Sequence, residues 1–192
     1  MEETLIDLLK DLGIEGISYS TSTQLLLAGE SKYVRDLRMN LKSVLDVESL
    51  DKKETSLIAL AIAANNNNTV LTKAFEVKAK EHGATAEETA EAVAIASLLS
   101  ANNVLYRFRH FVEKESYNTM RAGLRMNIMA RPVVGKEFFE LISLAVSAVN
   151  GCEMCVRSHE ASVLEAGSNE ARIWDAIRIA SVITSLGKIV HE

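Results

Sequence analysis

The chain matches itself at an offset of 84 positions. Leu60 answers Leu144, Ala61 answers Ala145, Ala64 answers Ala148 and Asn66 answers Asn150. Further along, Glu81 answers Glu165, Gly83 answers Gly167, and Ile95-Ala96-Ser97 answers Ile179-Ala180-Ser181. One coincident apolar residue means nothing among amphipathic segments. A matched Gly stop followed by a matched triplet at the same offset means more. The pattern reads as two copies of one unit packed together. The approximate halves are 50–105 and 134–190, within a single domain spanning 1–192.

The period inside each copy is helical. One Pro and nine Gly in 192 residues leave few turns and favour long helices. Asp51 and Glu54 have capping-box spacing, ahead of the apolar run Leu57, Ile58, Leu60, Ala61 and Ile62. Gly83 suits the position after a helix end, Thr85 the next N-cap and Glu88 its partner three residues on. A long helix is expected from there through Ala101. "KEFFELISLAVSAVNG" reads as a helix stopped at Asn150-Gly151. "ARIWDAIRIASVITSLGKIV" reads as the last, with Ile173, Ile177, Ala180 and Ile183 or Thr184 on one face. No segment alternates in the manner of a strand, so the fold class is all-α.

Charge removes several classes of partner. A net charge of -5 with no cluster of Lys and Arg speaks against a nucleic-acid backbone. "MEETLIDLLKDLG" is acidic and amphipathic and lacks the basic start of a secretory signal. No apolar run approaches the ~18 residues of a membrane span. The expectation is a cytoplasmic protein with no membrane or nucleic-acid partner. Thiols there are kept reduced, so a close-set cysteine pair favours catalysis or metal binding over a permanent staple.

Both cysteines lie in "NGCEMCVRSHE", Asn150 to Glu160, with one of the four histidines. Cys152, Cys155 and His159 fall at i, i+3 and i+7, on one face of a helix that starts just after Asn150-Gly151. A helix N-terminus stabilises a thiolate through its unpaired N–H groups. Side chains at i and i+3 approach disulfide distance, so the pair can cycle between dithiol and disulfide. His159 can take and return a proton one turn later. Glu153 opposes this mildly as a nearby negative charge, and Arg157 offsets it. Glu140 lies twelve residues before Cys152. If the chain folds back at Asn150-Gly151, its carboxylate can orient His159, in the order nucleophile, base, orienter. Taken alone, Glu140 is the ordinary solvated or capping acid near a helix start.

Blander readings remain beside this one. Zinc asks for four protein ligands, or three and a water, and the other histidines (His82, His110, His191) stand alone in the sequence. A structural disulfide across so short a loop constrains little of the chain. Two buried free cysteines with a satisfied His are the plain core reading. A thioredoxin site would need a βαβ setting. The repeat weighs on these choices. Asn68, Leu71 and Phe75 stand where the second copy has Cys152, Cys155 and His159. The frame is written once without sulfur or imidazole, which favours chemistry over architecture.

"FELISLAVSAVNGCEMCVRSHE", Phe139 to Glu160, resembles the signature of the alkylhydroperoxidase D family, within the carboxymuconolactone decarboxylase-like superfamily. "NNVLYRFRHF" and "GLRMNI" are similar to that family as well, and the likeness runs over most of the chain beyond about residue 35. The resemblance implies an all-helical fold, often a trimer. It also implies an antioxidant thiol oxidoreductase that reduces alkyl hydroperoxides, the disulfide of a peroxiredoxin of the alkyl hydroperoxide reductase C type, or both. It implies no bound cofactor. Electrons would come from dihydrolipoamide on the acyltransferase of a 2-oxoacid dehydrogenase complex. Carried over, Cys155 is the attacking thiolate that becomes a sulfenic acid. Cys152 donates a proton and closes the disulfide, and His159 and Glu140 form the proton relay. Better-known members carry a His just before the second cysteine, where this chain has Met154, which moves no protons. The alternatives are a decarboxylase of a cyclic lactone acid, whose relatives generally lack the cysteine pair, and a non-enzymatic thiol switch or zinc module.

Overall fold

Two capping boxes fix where the central helices begin. Asp51 Oδ1 accepts from the Glu54 N–H at 2.8 Å while Glu54 Oε2 accepts from the Asp51 N–H at 3.0 Å. Thr85 and Glu88 exchange the same pair of bonds. Each box satisfies two of the N–H groups that a helix start leaves unpaired. In the computed structural model, which describes residues 1–191, every regular element is helical. The order is α1 (Glu2–Asp11), α2 (Thr21–Ala28), α3 (Tyr33–Leu45), α4 (Lys52–Asn65), α5 (Thr69–Glu81), α6 (Ala86–Val112), α7 (Glu115–Thr119), α8 (Lys136–Val149), α9 (Glu153–Glu165) and α10 (Glu170–Leu186). A short 3₁₀ turn, Asn127–Ala130, precedes α8.

α4 and α8 form the centre. Thr55 through Ala63 are buried without interruption, and so are Phe138 through Ser147. A helix buried all round lies inside a core rather than on its rim. α4 packs on α5, α6, α8 and α10, and α8 packs on α6, α9 and α10. Leu57, Ile58, Leu60, Phe139, Leu141 and Ile142 fill the space between them. Each such side chain stabilises the fold by about 1.5–3 kcal/mol through burial. Arg172 of α10 ties the two central helices at their starts. Its guanidinium bonds Glu54 of α4 at 2.7 Å and Glu137 of α8 at 3.1 Å. α1 and α3 lean on this body, α3 against α10.

The helix bounds themselves recur at the offset of 84. α8 covers the shifted bounds of α4, α9 those of α5, and α10 starts where a shifted α6 would. The left-handed turn residue recurs too, as Asn67 at φ 54° and Gly151 at φ 68°. These coincidences support reading α4–α6 and α8–α10 as two copies of one unit.

α6 departs from the sequence expectation. The helix runs to Val112, eleven residues past Ala101. Asn102-Asn103 looks like a helix stop, but both side chains are buried, and the Asn103 amide donates to Ser147 Oγ at 3.0 Å. With its polar group bonded across to α8, an asparagine no longer competes with its own backbone. The extension places α6 beside the α8–α9 turn. Among the described residues, no helix is long and apolar enough to cross a membrane.

Candidate active site

The α8–α9 turn builds the site. Asn150 caps α8, Gly151 reverses the chain in the left-handed region, and the Cys152 N–H bonds back to the Ser147 carbonyl at 3.1 Å. A side chain at Gly151 would strain that conformation. The turn is held from outside. Arg107 donates to the Asn150 carbonyl at 2.6 Å, and the Asn150 amide donates to Asn103 Oδ1 at 2.9 Å and Asn65 Oδ1 at 3.1 Å. Cys152 is therefore fixed as the N-cap of α9, with Cys155 one turn later. Their Cα atoms lie 5.3 Å apart and the two sulfurs are joined in a disulfide. The i,i+3 spacing led to that expectation.

His159 follows one further turn along α9, and its Nδ1 lies 2.6 Å from Glu140 Oε2. The fold-back at Asn150-Gly151 thus brings the helix-start carboxylate to the imidazole. The solvated or capping reading of Glu140 is corrected here. The residue sits in the second turn of α8, only 3% exposed, because that helix is buried on every side. Lys136, one turn earlier and half exposed, bonds the other carboxylate oxygen at 2.5 Å. Burial pushes the Glu140 carboxyl up. Hydrogen bonds and positive charge from His159 and Lys136 outweigh that and hold it below its ordinary value. An ionised Glu140 accepts from a proton-bearing Nδ1, which leaves Nε2 as the ring atom free to exchange a proton. Glu153 is drawn off at the surface, by Arg157 at 2.6 Å and His110 at 3.3 Å.

A cavity of about 260 Å³ opens on this cluster. α9 contributes Met154, Cys155, Ser158 and His159, α6 contributes Asn102 and Tyr106, and the segment before α8 contributes Met126 and Met129. Cys152 is fully buried and is not part of the wall, whereas Cys155 is part of it and 6% exposed. The two sulfurs are thus unequal in access. A larger cleft of about 410 Å³ between α5 and the chain just after α1 has no sulfur or imidazole in its wall. Among the described residues, no group of three or more His, Cys, Asp or Glu is placed to hold a metal ion.

The family model described as the carboxymuconolactone decarboxylase family matches this chain twice, over residues 31–114 and again over 116–191. The chain belongs to the carboxymuconolactone decarboxylase family. Within it, the chain is similar to proteins named alkyl hydroperoxide reductase AhpD. The one from Anaeromyxobacter dehalogenans is 44% identical over 151 residues, which is 78% of this chain and 80% of the relative. The one from Beijerinckia indica is 40% identical, over 80% of this chain and 84% of the relative. The one from a Bradyrhizobium species is 43% identical, over 83% and 87%. As a member of the carboxymuconolactone decarboxylase family, this chain carries the sulfur pair, His159 and Glu140 in its second match alone.

Sequence reasoning placed those four residues and missed the far wall. Asn102 and Tyr106 share a helix face at i,i+4, a signal that could have been read in "NNVLYRF" had the helix been carried past Ala101. Met126 and Met129 sit in an irregular segment, and no period announces them.

Proposed function

We propose that this protein reduces organic hydroperoxides through a dithiol–disulfide cycle of Cys155 and Cys152. The observation that carries the reading is the unequal access of the two sulfurs. Cys155 and His159 face a cavity that Cys152 does not reach. The names of the relatives point to the same substrate class.

In this reading the Cys155 thiolate attacks the terminal oxygen of the hydroperoxide. An S–O bond forms, the O–O bond breaks, and the alkoxide leaves as the alcohol, taking from His159 the proton that Nε2 had removed from the Cys155 thiol. Cys155 is then a sulfenic acid. Cys152 attacks its sulfur, water leaves, and the disulfide closes. Glu140 holds the imidazole in the tautomer that accepts a proton at Nε2 and stabilises it when charged. An external dithiol resets the pair by exchange through a mixed disulfide. Dihydrolipoamide on an acyltransferase of a 2-oxoacid dehydrogenase complex is the proposed donor. A peroxiredoxin of the alkyl hydroperoxide reductase C type is the proposed protein substrate. The protein works in the cytoplasm as a homo-oligomer, a trimer in this proposal. Met154 stands in the cavity wall where a proton-carrying His would extend the relay, so here the relay is Glu140 and His159.

The test is hydroperoxide consumption by the reduced protein with a dihydrolipoamide recycling system. Cys155→Ser is expected to bring it down to the uncatalysed rate. Unchanged turnover in that variant would overturn the assignment.

A further inference from the structure

The start of α9 is anchored differently from the start of α5. In the first copy the cap residue anchors itself. Asn68 caps the Leu71 N–H at 2.8 Å and donates to the Val190 carbonyl at 2.7 Å. Cys152 stands in that place in the second copy, and its side chain makes no cap. The anchor there has moved back two residues, to Asn150. Its amide donates to Asn103 at 2.9 Å and to Asn65 at 3.1 Å, and its side-chain oxygen accepts from Asn65 at 2.9 Å. Its backbone carbonyl accepts from Arg107 at 2.6 Å. Asn103 is 1% exposed and also donates to Ser147 Oγ, on the residue whose carbonyl accepts the Cys152 N–H. Beside the first turn, Gly187 and Ala63 stand at the places that match Asn103 and Ser147 at the offset of 84, so that link is made at one turn alone. None of these bonds touches a sulfur, so opening the disulfide breaks none of them.

We propose that Asn103 and Arg107 are positioning residues that hold the turn, while both thiols are free, in the pose the disulfide needs. The inference rests on the dithiol–disulfide cycle above, not on the hydroperoxide, and names what keeps Cys152 within reach of Cys155. A turn built on a glycine has much backbone freedom to lose. With the sulfurs joined, the bridge itself imposes the pose. With them apart, the pose depends on the bonds to Asn150. A preset pose raises the effective concentration of one thiol at the other and so favours closure. Losing an anchor lets the dithiol form relax while the disulfide form cannot, so the loss weakens the oxidised form more.

The experiment equilibrates the folded protein with mixtures of reduced and oxidised glutathione. The Cys155 thiolate attacks oxidised glutathione and one glutathione thiolate leaves. Cys152 then attacks the Cys155 sulfur of the mixed disulfide, and the second glutathione leaves. Alkylation and mass give the ratio of disulfide to dithiol. Asn103→Leu and Arg107→Met are each expected to lower the equilibrium constant for closure about tenfold. Asn66→Ala, which takes the matching amide from the first turn, is expected to leave it within about twofold. A variant that weakens both redox forms equally does not move this constant, so a merely structural role leaves it in place. An unchanged constant in either second-turn variant, or an equal fall in Asn66→Ala, would overturn the proposal. If Asn103→Leu does not fold, the half-buried Arg107→Met carries the test. A wild-type chain that forms no disulfide with oxidised glutathione would defeat the cycle itself, and this inference with it.

Discussion

The turn between α4 and α5 and the turn between α8 and α9 have the same backbone and opposite contents. Each has its left-handed residue, Asn67 or Gly151, and each closes with the same bond, from Asn68 N–H to Ala63 O or from Cys152 N–H to Ser147 O. In the first turn Asn68 caps α5 through the Leu71 N–H at 2.8 Å and also reaches the Val190 carbonyl at 2.7 Å. Leu71 and Phe75 behind it are fully buried apolar groups. Ser56 stands where Glu140 stands in the second turn, and bonds His82. The second turn replaces these with Cys152, Cys155, His159 and Glu140. A buried carboxylate–imidazole pair gives little stability over an apolar filling, because desolvation opposes the attraction. The first turn fills the places of Cys155 and His159 with Leu71 and Phe75 in the same frame. The frame does not require the second set, so its presence calls for chemistry.

The strongest way to break this comparison is to write the first turn into the second. The double variant His159→Phe with Glu140→Ser copies Phe75 and Ser56 and leaves no orphaned carboxylate. It is expected to fold, with a thermal midpoint close to the wild type. Its hydroperoxide reaction should slow about 10²–10⁴-fold, the usual effect of losing a positioned base. An unfolded double variant would make the pair architectural. The reverse exchange sharpens the point through stability. Phe75→His puts an imidazole into a fully buried site that has held only a ring of carbon, and should cost about 3 kcal/mol in denaturant unfolding. A neutral result would mean that the two pockets differ less than their contents suggest.

The smallest effect concerns Lys136. Glu140 has a folded-state pKa below its unfolded value, so its stabilisation is fully present above the unfolded value and fades as pH falls through the folded one. Lys136→Ala removes one of the two hydrogen-bonding partners that hold Glu140 down. The acid limb of the rate profile should move to higher pH, and the stability lost on going from neutral to acid pH should become smaller. Near neutrality the rate should change less than about twofold, since the lysine is half exposed and its pairing is screened. An acid limb that stays in place would assign that limb to another group.

The helices were legible because their signals are local. Capping boxes at Asp51 and Thr85, stops at Gly83 and Asn150-Gly151, and an apolar period between them act within a few residues. The sulfur pair and His159 were legible because one helix face carries all three. The i,i+3 approach of Cys152 and Cys155 took the form of a disulfide. Glu140 was half legible. Its sequence context suggested a surface acid, and only the all-round burial of α8 turns it into a partner for His159. Asn102 and Met126 were not legible, because their contact spans 24 positions and depends on how the segment between α6 and α8 lies against the cavity. The end of α6 was misread for a related reason. Asn103 has a tertiary partner in Ser147, and tertiary bonds override local helix propensity.

The central claim is that the second turn exists for reversible sulfur chemistry. The direct measurement is to equilibrate the protein in mixtures of reduced and oxidised dithiothreitol, trap the thiols by alkylation and count them by mass on Cys152 and Cys155. The account predicts that both thiols appear together in one reversible two-electron transition, roughly 30 mV per tenfold change in the ratio, with the protein folded on both sides. A disulfide that yields only when the chain unfolds, or thiols that do not rejoin on reoxidation, would contradict it.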